Sequence, residues 1–292
     1  MKIGFFAIGL GHLIRPDLIK VVATNAERLN FATVWAPEHV VLLDKHISKY
    51  PYSEGEFPVP ADTPFADPFV TLGYAAAYTS RIKLVTGICL VPEHNPVVLA
   101  KVIATLDQLS GGRFSLGVGV GWLEEEFNAI GVPWERRAQR TREYIEAMRS
   151  LWRDAHSSYS GEFVKFDNVR SYPKPVKGEV PIWFGGESGP ALRRVAEYGN
   201  GWCGFNLSTD EAAAKLKRID ELVKAAGRKR SELYIAISPY SKPITRDDLK
   251  RYRDAGVDEI GLIEFSPPTG ERDMIAHLEQ MARDWVEPAS KL

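Results

Sequence analysis

Short apolar runs alternate along almost the whole chain with stretches in which apolar residues recur every three or four positions. The runs fall near residues 3–8, 31–36, 82–91, 113–120, 180–185, 201–205, 232–238 and 257–263. Each is followed by a stretch of helical period, at 16–29, 67–79, 96–110, 138–153, 188–199, 209–226, 245–255 and 272–288. Runs of the first kind read as strands and stretches of the second as amphipathic helices. Eight strand-then-helix units predict an α/β fold of the (β/α)8 TIM-barrel type. A doubly wound open sheet is the alternative, but it rarely needs eight regular units. No linker or shift in composition divides the chain, so residues 1–292 are predicted to form one domain.

Two segments break the alternation. Residues 40–66 carry four prolines and several aromatic residues without a clear period. A loop of that length after the second strand is predicted to be functional, as a lid over a site. Residues 156–178 contain a small hairpin over 158–166 and then Pro173 and Pro175, which predicts a surface excursion before the fifth strand.

The most informative stretch runs from Leu106 to Trp122. Leu106 and Leu109 close a helical pattern that Gly111 and Gly112 end, because glycine adopts positive φ with little strain. The strand from Phe114 to Val120 then carries glycine at 117 and 119, with Gly121 next in register. One face of it has no side chains, which predicts that a flat ligand or another backbone comes close; three such glycines favour the ligand. Gly87, in the middle of the third strand, predicts a bulge that either supports a flat ring or fills a tight packing spot.

Charge and composition narrow the partners. With 37 basic and 38 acidic residues the net charge is −1, which gives no case for nucleic acid or an anionic membrane. Cys89 and Cys203 both lie in apolar runs, as reduced thiols do in a cytoplasmic protein. No basic leader precedes Ile3 and no apolar run is long enough to span a bilayer, so a cytoplasmic location is expected.

In such a barrel the active site sits at the C-terminal ends of the strands. His12, His39 and His94 follow the first three strands, the last two in the repeated pattern Pro37-Glu38-His39 and Pro92-Glu93-His94. His46, His156 and His277 fall elsewhere and read as structural. The histidines have no His-x-His or His-x-x-x-His spacing and no fitting cysteines, so no metal site is expected. After the fifth strand, Gly185-Gly186-Glu187-Ser188 opens a helix. Glycines there admit a ligand close to the backbone, and the helix N-terminus favours an anion, with Ser188 as both N-cap and donor to a phosphate.

The stretches Asn95–Lys101, Leu106–Trp122, Asn168–Pro175 and Pro181–Trp202 resemble the bacterial luciferase-like flavin family, and in particular its coenzyme F420-dependent oxidoreductase branch. The resemblance implies a TIM barrel that holds a flavin or deazaflavin at the C-terminal face of its strands. It implies a non-proline cis peptide at Gly87-Ile88 backing the ring, with Gly119 and Gly121 lining the pocket. The cofactor phosphate would lie on the turn formed by Gly185, Gly186, Glu187 and Ser188. The family's acid–histidine pair matches Glu38-His39, with His39 transferring the proton and Glu38 orienting it or touching the ring edge; Glu125 is a second-rank acid. Trp122, Tyr50, Tyr52 and Phe57 would line a largely apolar small-molecule substrate, and Arg193 and Arg194 are candidates for the cofactor's acidic tail. Sugar-phosphate dehydrogenases of this branch have Asp-His where this chain has Glu38-His39, and a glutamate where Trp122 stands, so a sugar phosphate is not expected. The long insertion of the light-emitting enzymes is missing, so light emission is not expected either. The alternatives are an FMN-dependent monooxygenase of the same family and, more remotely, a non-catalytic flavin-binding protein. Pairing of two copies is a further expectation of the resemblance.

Overall fold

The computed structural model describes residues 1–52 and 56–292. Eight parallel strand positions close on themselves as a barrel: β1 (Lys2–Phe6), β2 (Thr33–Ala36), β3 (Lys83–Thr86) with its continuation β4 (Cys89–Leu90), and β5 (Phe114–Gly119). The series goes on through β8 (Ile182–Gly185), β9 (Gly201–Phe205), β10 (Tyr234–Ser238) and β11 (Glu259–Ile263). β11 pairs in register with β1, setting Ile3 opposite Ile260 and Phe5 opposite Leu262. A separate antiparallel hairpin, β6 (Ser157–Ser160) and β7 (Lys165–Val169), forms where the sequence predicts one.

Helices α1 (Pro16–Arg28), α2 (Pro68–Ala77), α3 (Pro96–Leu109), α5 (Arg137–Arg153), α6 (Gly189–Tyr198), α7 (Thr209–Ala225), α8 (Arg246–Asp254) and α9 (Glu271–Met281) return the chain from strand to strand. Their starts are written in the sequence. The Asp67 carboxylate accepts from the Val70 amide and the Asn95 side chain from Val97 and Val98, each with proline next in line. Ser208–Glu211 and Thr245–Asp248 form reciprocal capping boxes. Such caps satisfy otherwise orphaned amides and contribute about 1 kcal/mol each. A short helix between β5 and α5, α4 (Glu124–Ala129), is not part of the predicted alternation.

The main core lies between barrel and helices, with Leu18, Leu72, Phe114, Phe184, Trp202 and Ile260 fully enclosed. A smaller apolar cluster of Trp35, Val85, Trp183 and Ala236 plugs the barrel's lower half. Its rings lie close: Trp35 and Trp183 have centroids 5.5 Å apart, and Trp183 stacks on Tyr234 at 4.7 Å. At this floor the fully buried Glu259 accepts from Thr33, Trp35 and Tyr234, while burial holds its carboxyl above the ordinary range. Above this floor, space opens toward the C-terminal mouth.

The strand expected over 82–91 is two pieces, because the Gly87–Ile88 peptide is cis and interrupts the ladder between β3 and β4. The bare face of β5 differs from the reading that favoured a ligand over another backbone. A Cβ on Gly117 would overlap the Thr86 carbonyl oxygen, and one on Gly119 would come within 2.8 Å of Ile88 Cδ1. The neighbouring strand's backbone and one isoleucine occupy that face. Gly119 and Gly121 reach open space only where β5 ends.

Candidate active site

A cavity of about 770 Å³ opens at the C-terminal mouth. One wall is the turn after β8, where Gly185, Gly186, Glu187 and Ser188 come together as expected, beside Gly87, Ile88, Gly119 and Gly121. Gly186 has φ +100°, a conformation that excludes most side chains, and Ser188 caps α6 by accepting from the Ala191 amide at 3.3 Å. The Glu187 side chain is a correction to the phosphate-grip reading. Its carboxylate accepts from the Phe205 amide at 2.8 Å and from the Tyr52 hydroxyl, so it braces the 40–66 loop instead of pointing at an anion. Burial pushes its carboxyl up despite these donors.

Cations flank the turn. Arg194 lines the cavity as anticipated, whereas Arg193 is exposed on the outer face of α6. Arg137, which the sequence does not single out, joins Arg194 in the lining. Its guanidinium lies 3.4 Å over the Trp134 ring and donates to the Gly121 carbonyl at 3.3 Å. Burial lowers both guanidinium pKa values, so an anion placed here would relieve desolvated charge.

Another part of the lining is aromatic. Trp122 has Tyr50 at 5.1 Å, Phe57 at 5.5 Å, His46 at 5.6 Å and His39 at 6.0 Å between ring centroids. Tyr52 adjoins Tyr50 at 5.4 Å and Phe205 at 5.0 Å. The four predicted substrate-facing residues, Trp122, Tyr50, Tyr52 and Phe57, thus form one surface. The loop that supplies three of them is tied down at several points: Leu10 bridges to Phe65, and the Asn206 side chain donates to the Tyr52 carbonyl at 2.6 Å. Residues 53–55 of the predicted 40–66 lid lie outside the described residues.

The histidines divide. His39 and His12 line the cavity, and His12 Nε2 is buried without a partner there. His94 faces away, with Nε2 3.0 Å from Glu38 Oε1, so the three do not form one cluster. Burial would lower the His94 pKa, but the Glu38 carboxylate outweighs it and raises it. Glu38 also accepts from the Leu90 amide. The expectation that Glu38 orients His39 is therefore corrected: Glu38 holds β4 and His94. Donor atoms of Glu38, Cys89 and His94 lie within 4.8 Å of one another, but His94 and the Leu90 amide already engage both Glu38 oxygens.

His39 is held instead by Glu126, whose Oε2 lies 2.8 Å from Nδ1. Glu126 is 1% exposed, and its Oε1 accepts from the Val40 and Val41 amides at 2.6 and 3.1 Å. The signal for it lay in helical spacing. Leu123 and Phe127 are buried one turn apart, and Glu126 shares their face. Glu125, the second-rank acid, also has another role: it accepts from the Ile47 and Ser48 amides. Burial works against ionisation, but the Ser48 hydroxyl and the Ile47 amide hold its carboxyl at about 2, unsuited to proton donation near neutrality. Glu93 lies close to Glu126 and Glu38, both carboxylate oxygens buried and without a hydrogen-bond partner among the described residues. Burial, then the charges of Glu126 and Glu38, push it up to about 9.

Comparisons with known proteins show the family and the fold. The family model for luciferase-like monooxygenase matches residues 5–284. An uncharacterized protein of Mycobacterium tuberculosis (strain ATCC 25618 / H37Rv) is 38% identical over 263 residues, covering 89% of this chain and 91% of its own. The FMNH(2)-dependent dimethylsulfone monooxygenase of Pseudomonas putida is 34% identical over 167 residues, or 53% of this chain and 46% of that one. Among solved structures, an F420-dependent secondary alcohol dehydrogenase in complex with an F420-acetone adduct superposes with a TM-score of 0.76 at 20% identity, covering 99% of this chain and 98% of its own. At that identity the likeness speaks for the fold. The matched length and the 38% relative together establish that this chain belongs to the luciferase-like monooxygenase family.

Proposed function

We propose that this protein is an oxidoreductase that binds coenzyme F420 at the barrel mouth and catalyses hydride transfer to or from a small, largely apolar organic substrate. The observation that carries this reading is one cavity with two unlike linings. A glycine-led turn flanked by Arg137 and Arg194 suits a phosphate and an acidic tail, and an aromatic surface around His39 suits an apolar substrate. Gly185, Gly186 and Ser188 would hold the cofactor's phosphate, Ile88 and Gly87 would back its ring, and Gly119 and Gly121 would border it. Bound there, the deazaflavin supplies a carbon that accepts or releases a hydride, while the protein provides orientation, proton transfer and exclusion of water. His39 holds or takes the proton at Nε2, and the ring box of Phe57, Phe65 and Trp122 keeps water from it. The family places the molecule among enzymes of small molecules, and we assign it to the cytoplasm as a single domain over 1–292 that pairs with a second copy. No helix among the described residues is long and apolar enough to cross a membrane.

A second reading, an FMN-dependent monooxygenase fed reduced flavin by a partner, is favoured by the 34% identity to the dimethylsulfone enzyme. Equilibrium fluorescence titration with oxidised F420 and with FMN separates the two. Tight F420 and weak FMN binding is the expected outcome; the reverse preference replaces the first reading by the second, and binding of neither removes both.

Valine at Gly186 is expected to weaken cofactor binding at least tenfold while His39 and its surroundings stay intact. Its Cβ would come within 3.1 Å of Ala191 Cβ at a φ of +100° that valine resists, closing the backbone approach. The same titration checks it: undiminished affinity in a folded variant would place the phosphate elsewhere.

A further inference from the structure

We propose that Glu126 is a positioning residue that fixes the tautomer of His39, leaving Nε2 as a bare proton acceptor facing the cavity. The geometry leaves Glu126 little choice of role. Its Oε1 is committed to two backbone donors, the amides of Val40 and Val41, and its Oε2 faces His39 Nδ1 at 2.8 Å. An ionised carboxylate only accepts, so the hydrogen between the two side chains sits on Nδ1. In neutral imidazole the other nitrogen is then unprotonated. Around the ring stand Phe57, Phe65 and Trp122, with centroids 5.2, 5.4 and 6.0 Å away, and none of them donates through a side-chain N–H or O–H except the Trp122 indole. The His39 side chain is 9% exposed and that of Glu126 1%, so water cannot readily exchange one tautomer for the other. A substrate hydroxyl meeting this site finds an acceptor; a substrate carbonyl meets a donor only after His39 has been protonated. Glu126 thus sets the resting polarity of the proton-transfer atom without touching the cavity itself.

The role has a consequence specific to one substitution. In Glu126→Gln the two backbone donors still require an oxygen, so the amide oxygen faces Val40 and Val41 and the amide nitrogen faces His39. That nitrogen only donates, so Nδ1 must become the acceptor and the hydrogen moves to Nε2. The shape and the loop contacts are kept while the cavity-facing atom changes from acceptor to donor.

The experiment is imidazole nitrogen–proton NMR on the whole 15N-histidine-labelled chain, at a pH where His39 is neutral, with its signals assigned by their loss in His39→Gln. Protonated Nδ1 in the wild type and protonated Nε2 in Glu126→Gln is the expected pair of results. Protonated Nε2 in the wild type, or the same tautomer in both proteins, overturns the proposal. Glu125→Gln, which alters the neighbouring loop anchor only, is expected to leave the tautomer unchanged; a flip there would assign the effect to the loop and overturn it too. This readout needs neither cofactor nor substrate. The kinetic corollary does rest on the proposed proton-transfer role: Glu126→Gln should lose about 10²–10⁴-fold in kcat, as a mis-set histidine does, with F420 affinity within about twofold of wild type. A flipped tautomer with unchanged kcat would uphold the positioning by Glu126 and refute proton transfer by His39.

Discussion

Alanine in place of His39 is expected to slow turnover by about 10²–10⁴-fold, the span associated with loss of a general acid–base group. Cofactor affinity should stay within about twofold, because the proposed phosphate grip rests on the turn after β8 and its flanking arginines and not on His39. The two effects are separable in one preparation: fluorescence titration for binding, steady-state rate for kcat. His39→Ala also leaves the Glu126 carboxylate buried with only its two backbone donors, a loss of partner that destabilises on its own account. A melting curve therefore accompanies the kinetics. Unchanged kcat in a folded variant would remove His39 from the chemistry; a parallel collapse of cofactor affinity would make it a binding residue instead.

Glutamine at Glu93 is expected to stabilise the protein, and increasingly so as the pH rises. Burial first, and the charges of Glu126 and Glu38 after it, raise this carboxyl from an ordinary 4.5 to about 9. Between those values the folded chain carries a proton on Glu93 that the unfolded chain has released. Raising the pH through that window therefore favours unfolding, by up to ~1.4 kcal/mol per unit. Glutamine has no proton to lose and removes that slope, while any fixed cost of its unpartnered amide shifts the curve without tilting it. The gap between Glu93→Gln and wild type should widen by up to about 5 kcal/mol between pH 4.5 and pH 8, on top of any fixed offset. Urea unfolding at several pH values measures it. A gap that stays constant across the window would mean that Glu93 is ionised in the folded protein.

The barrel was legible because parallel strands are buried on both faces and so appear as unbroken apolar runs, each followed by a stretch of helical period. The aromatic lining of the cavity was legible for a related reason: Tyr50, Tyr52 and Phe57 sit in a loop with no periodic role to explain them. The acid–histidine partnerships were not. Glu38 and His39 are adjacent, and in extended chain successive side chains point to opposite sides. One therefore reaches His94 and the Leu90 amide while the other reaches α4. Sequence adjacency, taken as partnership, paired the wrong residues. Glu126 was hidden by its neighbours, since Glu124-Glu125-Glu126 reads as a solvated run in a six-residue helix too short to show a period. Only its place beside Leu123 and Phe127 marks it as inward-facing. The bare face of β5 showed that something comes close, but glycine spacing does not distinguish a ligand from the Thr86 carbonyl and the Ile88 side chain.

Ile88 sits where side chains on Gly117, Gly119 and Gly185 would collide with it, at 3.1, 2.8 and 2.6 Å from their missing Cβ atoms. Two neighbouring strands, β5 and β8, are thereby constrained by one residue. This makes the history of the site directional. A descendant can trim position 88 and deepen the back of the cavity in a single step, whereas bulk at Gly119 or Gly185 requires Ile88 to give way first and Gly117 is barred by the Thr86 carbonyl oxygen whatever stands at 88. New substrates that need more room at the rear are one mutation away, whereas those that need a narrower rear wall lie behind an ordered pair of changes.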